Sequence, residues 1–239
     1  MAVNHQLDHT IQTKSYDTLA DLHRFDIDLY SNHIYLFGIE DYNAGAGGDH
    51  DSEPGVEYIM ANRFIRNMNL CMRANPEHPV VIHMKTGGGY WEEGMAIYDT
   101  IKSCPHPVTI LVYTMASSMS SIILQAANKR VMMPHSHFLF HDGSTEVGGT
   151  VKQVHSTIEF GKLQDKQMMA IYSEAIGRSA KFIDKTEAYK MKWLRAQMDK
   201  KEDVYLTAEQ AVLLGFADDI FDYNWASLTE YTDEELQRG

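Results

Sequence analysis

Between Val112 and Ile123 the chain reads Val-Tyr-Thr-Met-Ala-Ser-Ser-Met-Ser-Ser-Ile-Ile. Four serines cluster where a strand-like apolar run, Val108 to Tyr113, passes into a helical pattern in which Met119, Ile122, Ile123 and Ala126 share one face. A serine at such a strand-to-helix turn lies beside the unpaired first N–H groups of the helix and its positive dipole end. An attacking hydroxyl and a developing oxyanion would both be stabilised there. The competing reading is a capped helix, because serine is a good N-cap.

A hydroxyl nucleophile needs partners, and three features supply candidates. Gly87-Gly88-Gly89 ends the strand-like run Pro79 to Met84. In a parallel sheet that end shares an edge with the serine cluster. Glycine lets a backbone N–H approach a ligand closely, and one such donor plus the N–H after the nucleophile makes a two-donor oxyanion hole. The following strand offers His135, His137 and His141, whose shared parity puts them on one face. The same trio permits a metal reading, since His-x-His is a common zinc arrangement; Pro134 at the strand start and the lack of further clustered ligands weigh against it. An acid should hold the base in the correct tautomer. Asp142, Asp184, Asp199 and Asp203 are candidates, and spacing does not choose among them.

The elements that must position these residues alternate strand and helix. Ile34 to Gly38 reads as a strand, Val56 to Asn75 as a helix, Pro79 to Met84 as a strand and Trp91 to Ser103 as a helix. Val108 to Tyr113 is the third strand, Ser117 to Lys129 the next helix, and Arg130 to Pro134 and His137 to His141 two further short strands. This rhythm predicts an α/β fold, a right-handed spiral of βαβ units with parallel pairing. Thr150 to Ile176 reads as one long helix without a continuous apolar stripe, the mark of an assembly element. Lys181 to Lys200 is a second, charged helical region. Asp203 to Thr207 is a short strand or connector, and Thr207 opens a helix through a capping box, closed by Gly215. Phe216 to Tyr223 reads as a terminal strand. One domain over 26–223 is expected, between an N-terminal arm over 1–25, anchored by Tyr16, Leu19, Leu22 and Phe25, and an acidic tail over 224–239. Asp41 to Gly55 reads as a surface insertion. Its Gly45-Ala46-Gly47-Gly48 lacks the Lys-Ser/Thr ending of a phosphate loop, and Asp49-His50-Asp51 reads as a solvated acidic loop.

Composition narrows the partners. The 239 residues are 44% hydrophobic and 23% charged, the balance of a globular protein. A formal charge of −12 argues against nucleic acid, which needs a basic surface. The longest apolar runs are of strand length, so no membrane span is expected, and the polar N-terminus carries no secretion signal. Cys71 and Cys104 make no metal-ligand spacing and fit free thiols of a reducing compartment, which makes cytoplasmic the expected location.

From Met84 to Phe221 the chain resembles the proteolytic subunit of the Clp protease, a serine peptidase family of the ClpP/crotonase fold. Met84-Lys85-Thr86-Gly87-Gly88-Gly89 and Glu93-Gly94-Met95-Ala96-Ile97-Tyr98-Asp99-Thr100 are similar to that family's I-N-S-P-G-G and A-G-M-x-I-Y-D-T. Met115-Ala116-Ser117-Ser118-Met119 resembles its M-A-A-S-M-G, which implies Ser118 as nucleophile. Phe140-His141-Asp142 resembles I-H-Q and implies His141 as base. Asp203-Val204-Tyr205-Leu206-Thr207-Ala208-Glu209-Gln210-Ala211, with Gly215 after it, resembles D-x-F-x-S-A-x-E-A…G and implies Asp203 as triad acid. Backbone N–H groups of Gly88 and Met119 would then bind the oxyanion, with no metal or organic cofactor. The resemblance further implies homo-oligomeric rings enclosing a chamber, with the helix from about Thr150 to Ile176 between rings. It also implies unfolded proteins or short peptides as substrates, and an ATP-driven unfoldase of the AAA+ type as partner. The chain departs from the pattern at Gly87 (proline), Ser120 (glycine) and Asp142-Gly143 (Gln-Pro), and by a helical insertion near 181–200. Those departures motivate a second reading, a catalytically silent ring or scaffold subunit. A crotonase-type acyl-CoA enzyme, with the same fold and oxyanion hole, is a third.

Overall fold

A computed structural model describes residues 22, 24–37, 55–144 and 146–238. The expected arm over 1–25 and insertion over 41–55 therefore lie outside the described residues, apart from Leu22, Arg24, Phe25 and Gly55. The elements run β1 (Ile27–Asp28), β2 (His33–Phe37), α1 (Tyr58–Ala74), β3 (Val80–Thr86), α2 (Trp91–Lys102), β4 (Val108–Ser117) and α3 (Met119–Leu124). They continue as β5 (Lys129–Met132), β6 (His137–Phe140), α4 (Val151–Ile176), α5 (Glu187–Lys201), β7 (Val204–Thr207), α6 (Ala208–Leu214) and β8 (Asp219–Ile220). A 3₁₀ turn (Trp225–Thr229) and α7 (Asp233–Leu236) follow.

The sheet has the order β1-β2-β3-β4-β5-β8, and all of these pairs are parallel except β1 with β2. β4 is the long strand at its centre and changes partner midway. Thr109 to Val112 pair with β5, whereas Met115 to Ser117 pair in parallel with β6, which carries β7 antiparallel on its other side. Period-two burial follows from this topology. Val80, Ile82 and Met84 join Val108, Ile110 and Val112 in the main core beneath α1 to α4, while Val81 and Leu111 face the other way against Phe221 and Leu228.

The serine-rich helix is shorter than its apolar pattern suggests. It spans Met119–Leu124 rather than Ser117 to Lys129, because Tyr113 to Ser117 stay extended to pair with β6 and with Thr86 of β3. The charged region from Lys181 becomes helical only at Glu187, capped by Thr186. The expected terminal strand shrinks to Asp219–Ile220.

The described part of the acidic tail, 224–238, folds back onto the domain. Leu228 is buried, Thr109 Oγ1 donates to the Leu228 carbonyl at 2.7 Å, and Asn128 Nδ2 donates to that of Glu235 at 3.1 Å. Arg238 reaches Asp218 at 2.7 Å, where it joins the fully buried Arg130. Arg130 donates to Asp218, to Gln125 Oε1 and to the Gly215 carbonyl, the dense pairing a buried guanidinium requires. Sequence composition registers the carboxylates of this segment but not the carbonyls that anchor it.

On the sheet face opposite the main core, His83 is 2% exposed, stacked on Tyr35, with Nδ1 at 2.9 Å from Tyr113 Oη and Nε2 at 2.9 Å from His33 Nδ1. Burial, and secondarily His33, push its pKa down to about 4. Between about pH 6.5 and 4 the unfolded chain therefore binds the extra proton, so stability is full above that window and declines as pH falls through it. The loss approaches about 3 kcal/mol at the lower end, by the free-energy equivalent of the shift. Urea unfolding at pH 7 and at pH 4.5 is expected to show a smaller difference for His83→Phe than for the parent chain. Equal differences would mean that His83 does not carry the dependence.

No helix among the described residues is long and apolar enough to cross a membrane. α4 divides in two. Its C-terminal part buries Met168, Met169, Tyr172, Ala175 and Ile176, whereas Val151, Ile158, Phe160 and Leu163 of the preceding turns are exposed.

Candidate active site

Three strand ends meet at one edge. Ser118 follows the last residue of β4, His141 follows the last residue of β6, and Asp203 precedes the first residue of β7. The β6–β7 ladder pairs Phe140 with Val204, so one antiparallel step further sets His141 opposite Asp203. The β4–β6 ladder pairs Ser117 with Leu139, and the Ser118 N–H donates to the Leu139 carbonyl at 3.2 Å. Register alone thus brings together three residues far apart in the chain.

Their side chains complete the approach. His141 Nδ1 lies 2.9 Å from Asp203 Oδ1, and His141 Nε2 lies 2.9 Å from Ser118 Oγ. An ionised carboxylate only accepts, so Nδ1 carries the proton and Nε2 is left to accept from the serine hydroxyl. Ser118 has φ 52° and ψ −125°, a strained backbone for a residue with a side chain. It occupies the N-cap position of α3 yet makes no side-chain cap bond; its hydroxyl faces His141 instead. Ser117 is the last residue of the strand.

The glycine turn presses against this elbow. A Cβ on Gly88 would lie 2.6 Å from the Ser117 carbonyl oxygen, 2.7 Å from Ser118 Cβ and 2.8 Å from the Met119 nitrogen. Val56 runs alongside, its N–H donating to the Gly88 carbonyl at 2.6 Å while its own carbonyl accepts from the Tyr90 N–H at 2.8 Å. Gly88 itself is buried and its N–H is directed to Thr86 Oγ1 at 3.3 Å, whereas Gly89 is exposed and lines the cleft. Met119 is the first residue of α3, so its N–H has no acceptor within the helix.

A cleft of about 700 Å³ opens over Ser118 and His141. Met119, Ile122, Met168 and Tyr172 give it an apolar wall, and the Tyr172 hydroxyl is held at 2.6 Å from Ser121 Oγ beneath the surface. Asp142 and Arg195 stand at its rim. Asp142 adjoins His141 in the chain, but its carboxylate is bonded to Arg195 of α5. That guanidinium also grips both oxygens of Asp165 on α4, at 2.6 and 2.8 Å. Hydrogen bonding to Asp165, outweighing desolvation and joined by the charge of Asp142, holds the Arg195 pKa above its usual value.

Of the four candidate acids, Asp203 alone is within hydrogen-bonding distance of His141. His135 and His137 are exposed, and no group of His, Cys, Asp and Glu among the described residues is arranged to hold a metal ion. Arg195 escaped sequence reading. It lies 53 residues from Asp142 and 30 from Asp165, in a region read from the sequence only as a charged helix. Ser120, which the sequence marks only as a departure from the motif's glycine, is wholly buried, its hydroxyl facing the Thr86 and Ser117 carbonyls.

The family model described as Clp protease matches residues 53–224. The ATP-dependent Clp protease proteolytic subunit of Deinococcus radiodurans is 28% identical over 169 residues, 70% of this chain and 76% of that protein. Proteolytic subunit 1 of Corynebacterium jeikeium is 28% identical over 167 residues, 69% of this chain and 82% of its own length. Proteolytic subunit 2 of Mycolicibacterium paratuberculosis is 29% identical over 163 residues, 67% and 75% of the two chains. With a family model covering most of its length and the α/β architecture to match, this chain belongs to the Clp protease family, a family of peptidases.

Proposed function

We propose that the chain is a serine endopeptidase that hydrolyses unfolded proteins or short peptides with Ser118, His141 and Asp203. The observation that carries this reading is the continuous bond chain from Asp203 through His141 to Ser118 at the floor of an open cleft. Ser118 Oγ attacks the peptide carbonyl as His141 Nε2 takes its proton. The same proton passes from Nε2 to the leaving amine, and Asp203 supports the imidazolium in between. Water then repeats the sequence on the acyl-enzyme. The Met119 N–H supplies one oxyanion donor. We assign the other to Gly89, which lines the cleft, in place of Gly88, whose N–H is turned to Thr86 Oγ1. These groups balance every proton of the reaction, so the chemistry calls on no cofactor.

The relatives' shared name, a proteolytic subunit of an ATP-dependent protease, supports a division of labour. An ATP-driven unfoldase of the AAA+ type delivers extended polypeptide, and this chain cuts it inside a ring of its own copies. Exposed Val151, Ile158, Phe160 and Leu163 on α4 suit that helix to contacts between copies.

A biotinylated fluorophosphonate tests the chemistry. Peptide mapping is expected to find one adduct, on Ser118. An adduct on Ser117, or labelling that survives Ser118→Ala, would overturn the nucleophile assignment. Thioester turnover by a chain that does not label would point to acyl-CoA chemistry instead.

A further inference from the structure

We infer that Ser120 is a positioning residue, a buried hydroxyl clamp that locks the glycine turn to the nucleophile elbow. The inference rests on the serine peptidase reading and adds a residue to its machinery.

Ser120 sits in the first turn of α3 with no exposed surface, so its hydroxyl cannot bind substrate. Its Oγ accepts from the Ser117 N–H at 2.9 Å, one residue before the nucleophile. Its proton faces the carbonyls of Thr86 and Ser117, each at 2.7 Å. Thr86 is the last residue of β3, and Gly87 to Gly89 begin directly after it. One side chain therefore ties the end of the oxyanion strand to the start of the nucleophile turn.

The tie matters because the ladder between these strands is irregular at this point. β3 and β4 run in register from Val80 to Met84, but the pairing shifts between Met84 and Thr86 so that Thr86 meets Ala116. Regular sheet bonding therefore does not fix the distance from the glycine turn to Ser118. An oxyanion hole whose two donors come from two such segments needs their separation held within about half an ångström. The next residue, Gly87, adds no restraint of its own, where the motif it resembles carries proline with its fixed φ. That motif also carries glycine at the place of Ser120. The two departures are complementary: the chain lacks a ring that stiffens the turn covalently and has a hydroxyl that stiffens it by hydrogen bonding. A Cβ on Gly87 would meet only Met115 Sδ, at 3.8 Å, an ordinary contact distance.

Misplaced donors weaken the transition state more than the ground state, so the expected signature is a loss in kcat with KM retained. Ser120→Ala is expected to lower kcat about tenfold or more, with KM within about twofold and a parallel fall in the fluorophosphonate labelling rate, since both depend on donor placement. Gly87→Pro in the Ser120→Ala background is expected to restore most of that loss, whereas Gly87→Pro alone changes little. Active-site titration with the fluorophosphonate normalises every rate to folded sites, and thermal melting runs alongside. Retention of parental kcat and labelling rate in Ser120→Ala would overturn the inference, as would a loss that follows only the folded fraction or is not restored by the proline. If Ser120→Ala does not fold, a folded and active double variant supports the clamp and an unfolded one overturns it. A parent chain that never labels at Ser118 refutes the peptidase reading itself, a different outcome from labelling that Ser120→Ala leaves unchanged.

Discussion

Ser118→Ala is expected to reduce kcat for peptide hydrolysis by about ten-thousandfold to a millionfold, while KM and thermal melting move little. The substitution removes one oxygen whose bond is to His141, outside the core ladders. Without the nucleophile, His141 has no proton to move, so His141→Ala and the double variant should settle on the same residual rate. That shared floor is the informative part. Three residues acting as one unit give losses that do not add, whereas independent contributions would multiply. Asp203 is the softer member. Its side chain is 48% exposed, so water can take over part of its role, and Asp203→Asn should lose about ten-thousandfold or less. Separate, multiplying losses for Ser118 and His141 would mean that the 2.9 Å bond between them does not serve catalysis. Initial rates on a fluorogenic peptide, normalised to protein, check each variant.

Gly88→Ala is the second large effect, and it comes from a residue that donates nothing to the substrate. The new methyl would fall within 2.6 to 2.8 Å of the Ser117 carbonyl, Ser118 Cβ and Met119 nitrogen, and Gly88 has φ +102°. Two of those three atoms are backbone, and the third belongs to the nucleophile, so nothing flexible can move aside. Relief must come from separating the two strand ends, which displaces the Gly89 donor from Ser118 and from the Met119 N–H. Losing one oxyanion donor costs about a hundredfold to a thousandfold in kcat, and kcat/KM should fall at least that far, with a lower melting temperature. Gly87→Ala, one position earlier, is the internal control. Its methyl meets only Met115 Sδ at ordinary contact distance, and activity should stay within about twofold. Equal behaviour of the two variants would mean that close packing on the elbow is not what Gly88 provides.

The site residues were legible in the sequence to different depths, and the differences have physical causes. The serine elbow and the glycine turn announce themselves locally, because strained or close-packed backbone demands small residues at short spacing. Asp203 does not. Four acids were equally plausible by spacing, and the choice depends on the register of β6 against β7, a long-range property; only motif resemblance pointed to it ahead of the structure. The alternation of strand and helix and the long helix followed from periodicity, while the end of β4 did not, since Met115 to Ser117 stay extended only because β6 is there to pair with them. Arg195 left no trace in spacing, because salt bridges across elements carry no period. The carboxyl-terminal segment was misleading for a related reason: its acids are on view in the sequence, but its hold on the domain runs through backbone carbonyls of residues such as Leu228 and Glu235.

The short ladder between β6 and β7 has a consequence for how this chain tolerates change. Sixty-two residues separate His141 from Asp203, yet four paired positions set their approach. The exposed turns in between can vary in length so long as both strands reach their partners in phase and the buried residues of α4 and α5, such as Tyr172 and Leu194, keep their places in the core. Ile183 to Thr186, an exposed turn ahead of α5, is the natural place for such variation. Lineages can lengthen or trim this excursion, and engineers can splice a tag or a second domain there, while base and acid stay aligned. The protein thus keeps its chemistry in a short frame of paired strands and leaves room for change in the exposed turn between two packed helices.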